Sequence, residues 1–137
     1  MRLWHWKLIP VLPRQQLLGQ WRECCLIAKE IQEKGTPNHI LVNPVMNYPP
    51  LMFDVYASRV YLNMQARGYS VDWEAFHKYR NSKYALFNPD DLFPGWHTNL
   101  YFLQCYYNLQ EKHDRGGITD EEWEQIEKIY KEKGASL

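Results

Sequence analysis

Arg22 and Glu23 stand side by side in a run that also holds Gln15, Gln16 and Gln20. A carboxylate can move protons or stabilise a developing cation, and a guanidinium can grip a phosphate through paired hydrogen bonds. Ordinary solvated charges on a helix have the same pattern, so spacing alone leaves both readings open. A second group, His77, Lys78, Arg80 and Lys83, reads as a basic loop and a candidate phosphate contact. The histidines His5, His39, His77, His97 and His113 are scattered, and no two have the i, i+4 spacing that would bring both imidazoles to one ion. No metal or other cofactor is expected. The chain also lacks a Gly-rich phosphate loop, a nucleophile elbow and a paired-cysteine motif, so nucleotide hydrolysis, acyl transfer and thiol redox chemistry drop out.

The elements that must carry these residues are helical. Leu17, Trp21, Cys24, Ala28 and Ile31 recur at spacings of four and three, which predicts a helix over Arg14 to Lys34 with its apolar stripe on the core. Pro13 sits where a first turn begins, and Gly35 followed by Pro37 supplies the stop. On the opposite side Gln15, Gly19, Arg22 and Leu26 share a face, where Gly19 leaves room for close approach. A loop rich in Asn and Pro spans 38–50. Phe53, Tyr56, Ala57, Val60, Tyr61 and Met64 then predict a second helix, ending at Arg67-Gly68. Asp72 is placed to cap a short turn through Trp73 to Phe76. Trp96, Leu100, Leu103 and Tyr107, with Phe102, Tyr106 and Leu109, outline a third long helix that stops at Gly116-Gly117. Thr119 and Glu122 have capping-box spacing for a last one, with Trp123, Ile126 and Tyr130 on one side of a charged rod. The expectation is an all-α, compact single domain spanning 1–137, of three to four helices with long irregular loops.

Charge divides the chain in two. Residues 1–89 hold 11 Lys and Arg against 6 Asp and Glu, a balance of +5, and residues 90–137 hold 5 against 10, a balance of −5. A basic first part could face nucleic acid while the acidic tail turns away. No apolar run approaches the roughly 20 residues needed to span a bilayer, and the opening Met1-Arg2-Leu3-Trp4-His5-Trp6-Lys7 has no signal-peptide core. Three cysteines, Cys24, Cys25 and Cys105, make no disulfide framework. These features lead us to expect a soluble, cytoplasmic monomer with no membrane partner.

The first helix resembles that of the pyrimidine-dimer DNA glycosylases of the bacteriophage endonuclease V type, which reads Asp-Gln-His-Leu-Met-Ala-Glu-Tyr-Arg-Glu. Here the ungapped run Arg14-Gln15-Gln16-Leu17-Leu18-Gly19-Gln20-Trp21-Arg22-Glu23 matches at Gln15, Leu17, Arg22 and Glu23. The family's processed chain starts Thr-Arg-Ile, and this one starts Met1-Arg2-Leu3. Arg67-Gly68-Tyr69 is similar to the Arg-Gly-Phe that ends the family's second helix. The sequence departs where Gln16 replaces His and Leu26 replaces Arg. It departs again at the closing residues, where the family's Trp-Tyr-Lys-Tyr-Tyr-Gly has no counterpart.

The resemblance implies a glycosylase and abasic-site lyase that acts on damaged duplex DNA through the chain's own α-amine. An α-amino group titrates near about 7.7–8.0 when unperturbed, so a usable neutral fraction exists at neutral pH. Attack at C1′ displaces the base and gives an imine, which acidifies the C2′ proton for β-elimination. The resemblance places Met1 as the nucleophile, retained because Arg2 is large, and Glu23 as the carboxylate. Arg2, Arg22 and Gln15 become backbone contacts, with Gln16 beside them. Trp4, Trp6, Tyr106 and Tyr107 offer stacking surfaces. Two other readings remain open: a non-catalytic helical module that binds nucleic acid or protein, and an amine-dependent enzyme acting on another glycosylated base.

Overall fold

The computed structural model describes residues 1–80 and 89–134. Its α-helices are α1 (Arg14–Lys34), α2 (Pro50–Ala66), α3 (Glu74–His77), α4 (Asn99–Asp114) and α5 (Asp120–Ile129). Short 3-10 turns at Trp6–Val11 and Asn43–Asn47 and a π turn at Tyr130–Gly134 complete them. The protein is all-α, with no strand among the described residues.

The expected boundaries of α1 are those observed, and Gly35 ends it at φ 79°, a left-handed conformation that costs glycine little. Pro13 offers α1 no side-chain cap. Its first amide, on Arg14, is instead satisfied from a distance by Glu122 Oε2 at 2.8 Å. That glutamate also closes the capping box with Thr119 expected from sequence, so one carboxylate serves the N-terminal ends of two helices. Part of the acidic tail therefore docks onto α1.

Helix α2 begins at Pro50, earlier than Phe53, and is capped by Arg67, whose guanidinium donates to the carbonyls of Leu12 and Pro10 at 2.7 and 3.1 Å. The end of α2 is thereby tied to the N-terminal 3-10 turn. Asp72 accepts from the Glu74 amide at 3.0 Å from one residue ahead of the cap position, which Trp73 occupies, so α3 starts one residue later than expected. Helix α4 differs in two ways. It starts at Asn99 under a Thr98 cap, leaving Trp96 and His97 in the preceding turn, and its buried stripe is Phe102, Cys105, Tyr106 and Leu109. Leu100 and Tyr107 are 65% and 53% exposed. Apolar residues surround most of this helix, so periodicity does not single out a face.

The buried residues form one cluster. Leu3, Leu8, Ile9 and Leu12 of the N-terminal segment lie in it with α1, α2 and α4. Under its rim Asp54, 1% exposed, meets Arg80 Nε at 2.6 Å. Arg80 also donates to the Pro50 carbonyl at 3.0 Å, and its guanidinium lies 5.3 Å from the centre of the Phe53 ring. Removing one partner of such a pair strands a charge in a dry site. Arg80→Ala should therefore lower stability by about 3–5 kcal/mol, while the pair Asp54→Leu, Arg80→Met recovers most of the loss. Urea denaturation of the three proteins measures both effects.

Candidate active site

The first five residues, ahead of the 3-10 turn, run between α1, α2 and α4, held by side chains that bond their backbone. Gln20, buried at 1% exposure, does most of this. Its Oε1 accepts from the Trp4 amide at 2.8 Å, and its Nε2 donates to the Arg2 carbonyl at 2.9 Å. The Tyr56 hydroxyl lies 2.9 Å from the same Oε1 and 2.6 Å from the Trp4 carbonyl. From the other side the Tyr101 hydroxyl donates to the Leu3 carbonyl at 2.6 Å. The backbone of residues 2–4 is thus fixed from three helices.

This clamp carries the chain's start to Glu23. Glu23 Oε2 accepts from the backbone amide of Arg2 at 3.3 Å and from Gln20 Nε2 at 3.2 Å. The carboxylate is half-buried and lies one peptide from the α-amine of Met1, which packs partly buried against the core. No ion pair joins that amine to Glu23 among the described residues. Gln16, Gln20 and Glu23 share one edge of α1 at spacings of four and three, and Gln16 Oε1 is enclosed there without a hydrogen-bond partner. Arg2 lies over the Trp4 ring at 5.1 Å.

Two histidines lock the next stretch. His5 Nδ1 accepts from the Lys7 amide at 3.1 Å, so its proton sits on Nε2, which donates to the His97 carbonyl at 3.0 Å. His97 Nδ1 likewise accepts from the Trp6 amide at 3.1 Å. Protonation would turn each Nδ1 from acceptor to donor against another donor. Burial holds His5 down to about 4, and burial together with the neighbouring His5 holds His97 down to about 2.

The structure brings Met1 and Arg2 to Glu23 at one end of this clamp, while the neighbouring Arg22 is exposed, its Nη2 3.8 Å from where a Cβ on Gly19 would stand. Gln15 is exposed on the same helix. The basic loop is not one unit. His77 and Lys78 are exposed, Lys83 lies outside the described residues, and Arg80 is committed to Asp54, so its expected phosphate contact gives way to a structural ion pair. Among the expected stacking residues, Trp4 is buried and Tyr106 stacks on Tyr130 at 4.2 Å. Trp6 lies beneath Lys7 and Arg59, and Tyr107 remains open to solvent. Sequence reasoning named Gln20 only as a neighbour and missed Tyr56 and Tyr101 as anchors. The available signal was an amide on the apolar face of α1, three residues from Leu17 and four from Cys24.

A family model for pyrimidine dimer DNA glycosylase matches residues 1–76, more than half of the chain. The chain belongs to the pyrimidine dimer DNA glycosylase family. The match contains Met1, Arg2, Gln15, Gln16, Arg22 and Glu23 and stops before His77, Lys78, Arg80 and Lys83. No curated protein and no solved structure matches the chain significantly. The resemblance read from the first helix is therefore borne out, and the family name denotes a glycosylase with DNA as its substrate. No helix among the described residues is long and apolar enough to cross a membrane.

Two expectations follow for this glycosylase. Gln20→Leu removes partners from the Trp4 amide and the Arg2 carbonyl, each costing about 1–3 kcal/mol when stranded. The variant should lose about 2 kcal/mol or more, with faster amide hydrogen exchange at residues 2–4. For His5 and His97 the folded values lie below the unfolded 6.5, so their contribution is complete above pH 6.5 and is lost as pH falls toward 4. Near pH 5 unfolding should take up almost two protons at these sites, a stability slope of about 2.5 kcal/mol per pH unit, read from denaturation curves at pH 7.5, 6, 5.5 and 5.

Proposed function

We propose that this protein removes a damaged pyrimidine base from duplex DNA and then cleaves the abasic strand, with the α-amine of Met1 as nucleophile. The observation that carries the reading is the bond from the Arg2 amide to Glu23 Oε2, which spans 21 residues of sequence and holds a carboxylate one peptide from the amine.

The neutral amine attacks C1′, the N-glycosidic bond breaks, and its electron pair leaves with the base, which takes up a proton. Loss of a proton from nitrogen and opening of the C1′–O4′ bond convert the adduct to an iminium, with the ring oxygen becoming a hydroxyl. Glu23 stabilises the positive sugar in the first stage. It then assists removal of the acidified C2′ proton, and the 3′ phosphate leaves by β-elimination. Arg2 and Arg22 hold phosphates that flank the reacting sugar, and Gln15, His77 and Lys78 extend the contact along the backbone. Gln20 positions both reacting groups, since it bonds the Arg2 carbonyl and the Glu23 carboxylate together.

Borohydride should trap a covalent complex between the untagged protein and DNA that carries an abasic site or a pyrimidine dimer. Acetylation or an extension of the N-terminus should abolish trapping. Glu23→Gln should slow strand cleavage by about 100-fold or more while leaving DNA binding in place. Salt-sensitive DNA binding with no trapped complex at any pH from 6 to 9 would overturn the reading in favour of a non-catalytic DNA-binding module.

A further inference from the structure

The α-nitrogen of Met1 has no hydrogen bond or ion pair among the described residues. An amine that attacks carbon needs its lone pair free, so whatever aims it must act through the carbon skeleton. Part of that restraint is the clamp on Arg2, whose amide is bonded to Glu23 at 3.3 Å and whose carbonyl is bonded to Gln20 at 2.9 Å. Because a peptide unit is planar, these bonds place the α-carbon of Met1 as well.

One torsion then remains, about the Met1 Cα–C bond. Turning it carries the nitrogen around a circle of about 1.4 Å radius, so a third of a turn displaces it by about 2.4 Å. A misplacement of about 1 Å can slow a reaction about 100-fold. The hydrogen bonds to residues 2–4 therefore leave the amine unaimed. At a tetrahedral carbon, however, the amine and the side chain turn together. The Met1 side chain is half-buried and packs against the core cluster, and that packing opposes the rotation. An unbranched thioether with three rotatable bonds can settle into an irregular apolar surface of this kind.

We propose that the Met1 side chain is a positioning group: its packing against the core fixes the last free torsion and aims the α-amine at the sugar. The proposal rests on the reading of that amine as nucleophile and assigns a separate task to the side chain that bears it. Full-length proteins with Met1→Gly, Met1→Ala and Met1→Leu, and the unaltered protein, are released from an N-terminal fusion by a protease that leaves the α-amine free. The single-turnover rate of borohydride trapping is measured on saturating abasic DNA. Affinity is measured separately on DNA with a tetrahydrofuran analogue, which has no aldehyde. Met1→Gly should trap about 100-fold more slowly, with affinity unchanged. Met1→Ala, whose side chain is too short to reach the core, should be slowed as well, and Met1→Leu should recover most of the rate. Amide hydrogen exchange at Leu3 and Trp4 should stay as slow in Met1→Gly as in the unaltered protein. Equal trapping rates for Met1→Gly and the unaltered protein would overturn the proposal, as would a slowed rate accompanied by lost protection at Leu3 and Trp4, which would place the effect in the clamp. Absence of trapping in every protein, the unaltered one included, would overturn the amine mechanism itself and the side chain's task with it.

Discussion

The buried amide of Gln20 is the interaction on which the site depends. A primary amide on the apolar face of a long helix would cost several kcal/mol if left without partners. Here every polar atom of the group is used, and the partners are the backbone of the N-terminal segment, the Tyr56 hydroxyl and Glu23. A residue that is expensive to bury becomes specific once buried, because only one path of the chain satisfies it. The start of the chain, which in most proteins frays, is held here at three successive residues.

The rest of the architecture serves that placement. Arg67 anchors the 3-10 turn after the clamp, Tyr101 reaches from α4 to Leu3, the neutral His5 imidazole donates to the His97 carbonyl, and the His97 imidazole accepts from the Trp6 amide. Helix α5 braces the beginning of α1 through Glu122. Each of these contacts joins the N-terminal segment or α1 to a part of the chain more than 50 residues away. The N-terminal end is thus built on rigid elements, as the proposed amine chemistry would require of a nucleophile and a carboxylate that must hold their separation.

The charge distribution takes a different meaning in three dimensions. The acidic second half does not simply face away from the basic first half, since Glu122 is consumed at a helix start and Asp91 accepts from the Trp6 indole. One basic residue is likewise spent inside, where Arg80 neutralises Asp54. Formal charge along the chain therefore overstates the cations free to meet phosphate, and those nearest the candidate site are Arg2 and Arg22.

Some of this was written locally in the sequence. The span and stop of α1, the capping box of α5, the all-α class and the pairing of Arg22 with Glu23 follow from periodicity, turn chemistry and a short family-like motif, because each depends on neighbours within a few residues. The end that Met1 shares with Glu23, the burial of Arg80 and the anchoring roles of Gln20, Tyr56 and Tyr101 depend on partners 16 to 98 residues distant. The buried face of α4 was also hidden, since apolar residues cover most of its circumference and only packing against α5 and the N-terminal segment chooses among them. Sequence by itself determined which helix carries the carboxylate and what family it belongs to. Tertiary structure alone decided what that carboxylate faces, because long-range hydrogen bonds, rather than any local preference, bring the first residue of the chain to its side.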